Sequence, residues 1–124
     1  MNVIYTKNAP EAIGPYSQAI VAGGLVFTSG QIPINPESGV VEVQSVTEQT
    51  EQVCKNIKAV LEAAGSSLEK VVKTTCFLND MGNFAAFNEV YAKYFTGKPA
   101  RSCVAVKELP KNVLVEIDTV AEII

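Results

Sequence analysis

The 124-residue sequence contains no histidine. That absence removes the Ser-His-Asp triad, the Cys–His nucleophile pair and every imidazole metal ligand. Any chemistry must then rest on carboxylates, Arg, Lys, Tyr, Cys or the backbone. Cysteine is sparse, with Cys54, Cys76 and Cys103 far apart. An odd number without a C-x-x-C spacing fits neither a disulfide framework nor a zinc site, so reduced thiols are expected. There is no run of Lys or Arg, and the net charge is −3 with a pI of about 4.9. Nucleic-acid binders carry a basic surface that neutralises phosphates, so neither nucleic acid nor an anionic membrane surface is an expected partner. No apolar stretch approaches the ~20 residues that cross a bilayer. Residues 1–15 show no charged region followed by an apolar one; no signal peptide is expected, and the expected location is cytoplasmic. A glycine-rich phosphate loop is missing, as is a carboxylate cluster with metal-ligand spacing.

Charged residues make up only 19% of the chain, a shortage that points to surface hidden in an oligomer. The length suits one continuous core, hence one domain over residues 1–124. Ser17–Val21 and Leu25–Ser29 have the composition of strands, and Gly23-Gly24 between them suits a tight hairpin. Residues 31–39 form a loop with Pro33, Pro36 and Gly39, and Val40–Val43 is a candidate short strand. Ser45 followed by Glu48 fits a capping box, and Val46, Thr50, Val53, Cys54, Ile57, Val60, Leu61 and Ala64 recur at helical spacing up to Gly65. Val71–Leu78 is β-branched and aromatic, as strands are. Asp80 or Asn83 can cap a second helix whose apolar face is Phe84, Phe87, Tyr91, Tyr94 and Phe95. Two alternating strands, Arg101–Lys107 and Val113–Ile123, complete the chain around a turn at Leu109–Asn112. The expected fold class is α+β, a mixed sheet with both helices on one face. The other face, assigned Leu114, Val120 and Ala105 among charges, suits contact with another subunit and a cleft between subunits.

A few side chains could carry chemistry. Arg101, directly after Pro99-Ala100, can grip a carboxylate through two parallel hydrogen bonds, or it can be a solvated surface residue. Glu116 lies in the apolar run Val113–Ile117. Burial there would raise its pKa and suit general acid–base work, whereas plain alternation makes it an outward residue beside Asp118 and Glu122. Cys103 shares a face with Arg101 but has no base to activate it, so it is expected to pack while its backbone lines a site. Cys54 and Cys76 belong to the core. Gly30 allows close approach to its N–H, or is an ordinary turn residue. Gly14-Pro15-Tyr16-Ser17 can hold a phenol over a pocket or bury it. Phe84, Phe87 and Tyr91 fit a core better than a ligand cage.

Several segments, in order, are shared with one family: Asn8-Ala9-Pro10, Ile13–Ala19, Ser29–Pro33, Pro99-Ala100-Arg101-Ser102, Leu109-Pro110 and Val115–Asp118. From about Asn8 to Glu122 the chain resembles the RidA/YjgF family of reactive-intermediate deaminases. The resemblance implies a chorismate-mutase-like fold and a homotrimer around a central barrel, with sites between subunits. It also implies hydrolysis of 2-aminoacrylate, 2-iminopropanoate and 2-iminobutanoate to 2-oxo acids and ammonia, with no metal or cofactor. Carried over by resemblance, Arg101 would bind the substrate carboxylate and Glu116 would position or deprotonate the attacking water. The Cys103 carbonyl would hold the substrate nitrogen and the Gly30 N–H would assist at the carboxylate. Tyr16, Ser29 and Asn88 would line the pocket. Lys98 departs from a proline common in the family. The alternatives are a pocket that binds a 2-oxo acid or amino acid without turnover, and an RNA-cleaving translation inhibitor, against which the acidic composition speaks.

Overall fold

The structure, a computed structural model, describes residues 1–123. Six strands form one sheet: β1 (Asn2–Ile4), β2 (Ala19–Ala22), β3 (Leu25–Thr28), β4 (Val71–Leu78), β5 (Ala100–Ala105) and β6 (Val115–Glu122). They lie in the order β1-β2-β3-β6-β4-β5, all antiparallel except β4 with β5. Two helices, α1 (Val46–Ala63) and α2 (Phe84–Tyr94), pack on each other, and their apolar stripes share one core with β3, β4 and β6. This is the expected mixed α+β arrangement.

Local chemistry sets the ends of these elements. Gly23 and Gly24 both have positive φ (60° and 76°), as a two-residue turn matched to strand twist requires. The Ser45 hydroxyl accepts from the Glu48 N–H at 3.1 Å and meets the Glu48 carboxylate at 3.0 Å. Helix α1 ends at Ala64, followed by Gly65 at φ 84°. Asp80 caps a short 3₁₀ turn by accepting from the Gly82 N–H at 2.7 Å, while Asn83 precedes α2 without a side-chain cap. Lys98 adopts φ 51°, a conformation closed to proline.

Three expectations need correction. Val40–Val43 forms no strand, only an isolated bridge from Val41 to Ile34, because the chain turns at Gly39 and the Val43 carbonyl is taken by the Gln49 side chain rather than by a neighbouring strand. The last strand starts at Val115 rather than Val113, because residues 110–112 make a 3₁₀ turn with Lys111 and Asn112 at positive φ. Ala105 stands opposite buried Leu78 and so lies on the helix side of the sheet, not on its bare face. The first strand, β1, is too short for periodicity to disclose; it forms by pairing with β2.

Alternation divides the sheet into two surfaces. In β6, Val115, Ile117, Thr119 and Ala121 are buried under the helices, while Glu116, Asp118 and Val120 point away and are only partly covered. The register aligns Phe27 with Val120, Thr75 with Asp118 and Ser102, and Phe77 with Glu116 and Val104 across this second face. Among the described residues no helix covers it, and Phe27 and Val104 remain 44% and 47% exposed.

Three buried amides fasten the loops around the sheet. Gln18 bonds the Thr6 N–H through Oε1 (2.7 Å) and the Pro10 carbonyl through Nε2 (2.8 Å). Asn56 donates to the carbonyls of Ile32 and Ile34 at 3.1 and 2.9 Å. Gln49 donates to the Val43 carbonyl and accepts from the Leu114 N–H. A buried amide left unpaired costs about 1–3 kcal/mol, so these bonds hold the loops in one arrangement.

Candidate active site

The residues singled out from the sequence gather into two groups. The first lines a cavity of about 280 Å³ bounded by Ile13, Tyr16, Ser29, Gly30, Ile32, Pro110 and Glu116. Glu116 reaches it from β6. Its carboxylate lies flat against Gly30: a Cβ at that glycine would stand 2.8 Å from the carboxyl carbon. Gly30 is held there because Gln31 exchanges backbone hydrogen bonds with Ile117, at 2.8 and 3.2 Å, directly beside Glu116. The Ser29 hydroxyl donates to the Ser17 carbonyl at 2.6 Å, which ties the end of β3 to the loop carrying Tyr16. The Tyr16 hydroxyl accepts from the Ile13 N–H at 3.2 Å, and both residues line the cavity.

Within this cavity Glu116 is half-buried, and no hydrogen bond or ion pair reaches its carboxylate among the described residues. Burial raises its pKa above the ordinary 4.5, and the negative charge of Asp118 on the same face adds to the effect. Asp118 is raised as well, chiefly by burial, against lowering by a hydrogen bond from Thr75 and the nearby Lys73 charge. A carboxylate with no internal partner and a raised proton affinity is equipped to take a proton from water and give it back.

The second group stands on the helix side of the sheet, around a cavity of about 400 Å³ lined by Asn88, Tyr91, Ala92, Phe95, Thr96, Lys98, Pro99 and Arg101. Arg101, on the edge strand β5, donates from Nη1 to the Asn88 Oδ1 at 2.7 Å. Its guanidinium carbon lies 4.8 Å from the Tyr91 ring centre and 5.4 Å from that of Phe84. The side chain is exposed, so its other donors face solvent. Cys103 follows two residues on, with its side chain packed against the core. Burial pushes the Cys103 thiol up, against the opposing charge of Arg101, so the thiol is a poor nucleophile. Buried Cys54 and Cys76 are pushed up further, Cys76 to about 12.

Arg101 and Asn88 thus come together, as do Glu116, Gly30, Ser29 and Tyr16, but the two groups occupy different cavities on opposite sides of one sheet; Cys103 shares the strand and face of Arg101 without lining its cavity. The apolar walls Ile13, Ile32 and Pro110 were not foreseen, although each belongs to a motif noted in the sequence. The aromatic stripe of α2 divides: Phe87 is core, while Phe84 and Tyr91 also meet Arg101. Among the described residues no group of three or more His, Cys, Asp or Glu could hold a metal ion, and no helix is long and apolar enough to cross a membrane.

Residues 6–123 match the family model described as endoribonuclease L-PSP. A RutC family protein of Pyrococcus horikoshii is 57% identical over 96% of this chain and 95% of its own. The 2-iminobutanoate/2-iminopropanoate deaminase of Salmonella typhimurium is 48% identical over 95% of this chain and 94% of its own. Among solved structures, a Rid family protein of Yersinia pestis superimposes with a TM-score of 0.94 at 53% identity, covering 98% of both chains. Escherichia coli TdcF with bound serine gives 0.93 at 43% identity, again over 98% of both chains. Matched over nearly its whole length in sequence and in fold, the chain belongs to the family known by the names endoribonuclease L-PSP, YjgF and RidA.

Proposed function

We propose that the protein hydrolyses small 2-imino acids, and their enamine tautomers, to 2-oxo acids and ammonia. The observation that carries this reading is the Glu116 carboxylate, which lies against Gly30 without an internal partner and has its proton affinity raised by burial. The substrate, protonated at nitrogen, is already electrophilic at C2. Water attacks that carbon while Glu116 accepts its proton. Glu116 returns the proton to the nitrogen of the resulting carbinolamine; it then takes the hydroxyl proton as the C2 carbonyl forms and the C–N bond breaks, and that proton leaves with ammonia as ammonium. Orientation and one general base are sufficient for so reactive a substrate.

Arg101 supplies the other half of the site by binding the substrate carboxylate through its free donors. The Cys103 carbonyl holds the nitrogen and the Gly30 N–H assists at the carboxylate, with Tyr16, Ser29 and Asn88 lining the pocket. Because Arg101 and Glu116 point to opposite sides of one sheet, a complete site takes Arg101 from one copy and Glu116 from another. A homotrimer with three such sites would also cover the bare sheet face. Two relatives support the reading: the Salmonella protein is a deaminase of these imines, and TdcF holds serine, which presents a carboxylate beside a nitrogen. The family's ribonuclease name finds no support in this chain's charge of −3.

The test generates 2-iminobutanoate in place with threonine dehydratase and traps unreacted imine with limiting semicarbazide. Wild type in catalytic amounts is expected to lower trapping, and Arg101→Ala and Glu116→Gln are not. Binding of 2-oxobutanoate is expected to be lost in Arg101→Ala and kept in Glu116→Gln. Wild-type binding of 2-oxobutanoate with no effect on trapping would sink the enzyme reading in favour of a protein that binds these acids without turning them over.

A further inference from the structure

Arg101 is exposed, yet only neutral groups hold it. Asn88 contributes one amide oxygen at 2.7 Å, the Tyr91 ring lies nearest, 4.8 Å from the guanidinium carbon, and the Phe84 ring lies farther off at 5.4 Å. The Tyr91 ring is fixed on several sides. Its hydroxyl is hydrogen-bonded at 2.8 Å to Thr74, which is fully buried on β4 directly opposite Arg101 in the strand register. Its face stacks on Phe95 at 4.5 Å, and Phe87 meets it at 5.5 Å. The order Thr74, Tyr91, Arg101 therefore runs from the interior of the sheet to the cavity.

An acidic partner would orient the guanidinium equally well, but it would neutralise the charge and occupy the donor fork. An aromatic face and an amide oxygen orient it and leave both for an incoming anion. We propose that Tyr91, anchored by Thr74, is a positioning residue that holds Arg101 in a carboxylate-ready geometry; as a role in binding, this rests on the reading of Arg101 given above. The ring face performs the positioning and the hydroxyl serves to place the ring.

This division makes the variants distinguishable. Tyr91→Leu removes the ring, Tyr91→Met removes it while filling more of the space, and Tyr91→Phe keeps it. Two readouts are needed, with folding checked by circular dichroism. One is the Arg101 Nε–Hε resonance, identified by its loss in Arg101→Ala and shifted upfield by the ring beneath it; this signal involves no substrate. The other is the Kd for 2-oxobutanoate. Both Leu and Met variants are expected to lose the larger part of the upfield shift, the Phe84 ring at 5.4 Å keeping the smaller part, and to weaken binding by on the order of tenfold, with kcat retained. The Phe variant is expected to keep the shift and a Kd within about twofold of wild type. If Tyr91→Leu does not fold, Tyr91→Met decides. An unchanged resonance and Kd in a folded variant lacking the ring would overturn the proposal, as would equal losses in the Phe variant, which would assign the effect to the hydroxyl. Intact binding in Arg101→Ala would instead overturn the carboxylate reading, and the role of Tyr91 in binding with it, whatever the resonance does.

Discussion

Gly30 has no side chain because the Glu116 carboxylate occupies the place of one. Gly30→Ala must push that carboxylate aside. Turnover is expected to fall by about 10²-fold, the scale that a 1 Å misplacement produces, with 2-oxobutanoate affinity largely kept; kcat and Kd measured together check this. The pKa of Glu116 predicts two pH effects. As a base it must be ionised, so kcat should fall toward acid with a midpoint above the 4.5 of an ordinary glutamate. For stability, a raised carboxyl means the folded state binds the proton more tightly than the unfolded chain. The folded protein therefore loses stability as pH rises from 4.5 through the raised value. Glu116→Gln removes that burden, and its Tm at pH 7 should exceed that of wild type while turnover is lost. A lower Tm would mean that the charge is compensated.

At the scale of elements, α1 braces the loops that flank Gly30 and Glu116. Asn56 on α1 holds the carbonyls of Ile32 and Ile34, and so the loop behind Gly30. Gln49, two turns earlier on the same face of α1, holds the backbone at Leu114, just before Glu116. The helix is therefore part of the site's support, and its caps matter. Ser45→Ala should destabilise by about 1 kcal/mol through loss of the N-cap bond. Gly65→Ala should cost about 1–2 kcal/mol, because its φ of 84° lies in the left-handed region. Denaturant unfolding at fixed protein concentration measures both. The start of α1, its Gly65 stop and the bounds of β4 were legible in the sequence, because caps and alternation are local signals. The supporting role of Asn56 and Gln49 was not: each bonds backbone more than twenty residues away, or in a loop without pattern, and a buried amide looks the same in sequence as a solvated one.

For the whole molecule the expected form is a trimer, which light scattering would report as three times the 13.3 kDa of one chain. Val104→Asp or Phe27→Asp would place a charge on the bare face and should shift the protein toward smaller species. Shared sites make a sharper prediction. Arg101→Ala and Glu116→Gln are each expected to be inactive, but co-refolding them should restore activity, since some sites then receive Arg101 from one variant and Glu116 from the other. No recovery in assemblies shown to be mixed would place both groups in one subunit's site.

By itself the sequence determined the element types and which classes of chemistry are excluded. The absence of histidine excluded triads and imidazole ligands, and short motifs marked Arg101, Glu116 and Gly30. These are properties of residue type and near-neighbour spacing, which the chain carries unfolded. Tertiary structure decided the rest. Only strand pairing placed Thr74 beside Arg101, so that Tyr91 comes to lie under its guanidinium, and only the return of β6 laid Glu116 on Gly30. The separation of Arg101 from Glu116 likewise follows from the two-residue period of strands. On its own strand each side chain is assigned to one face, but which face is shared between strands is settled by register, a relation between residues far apart in the chain.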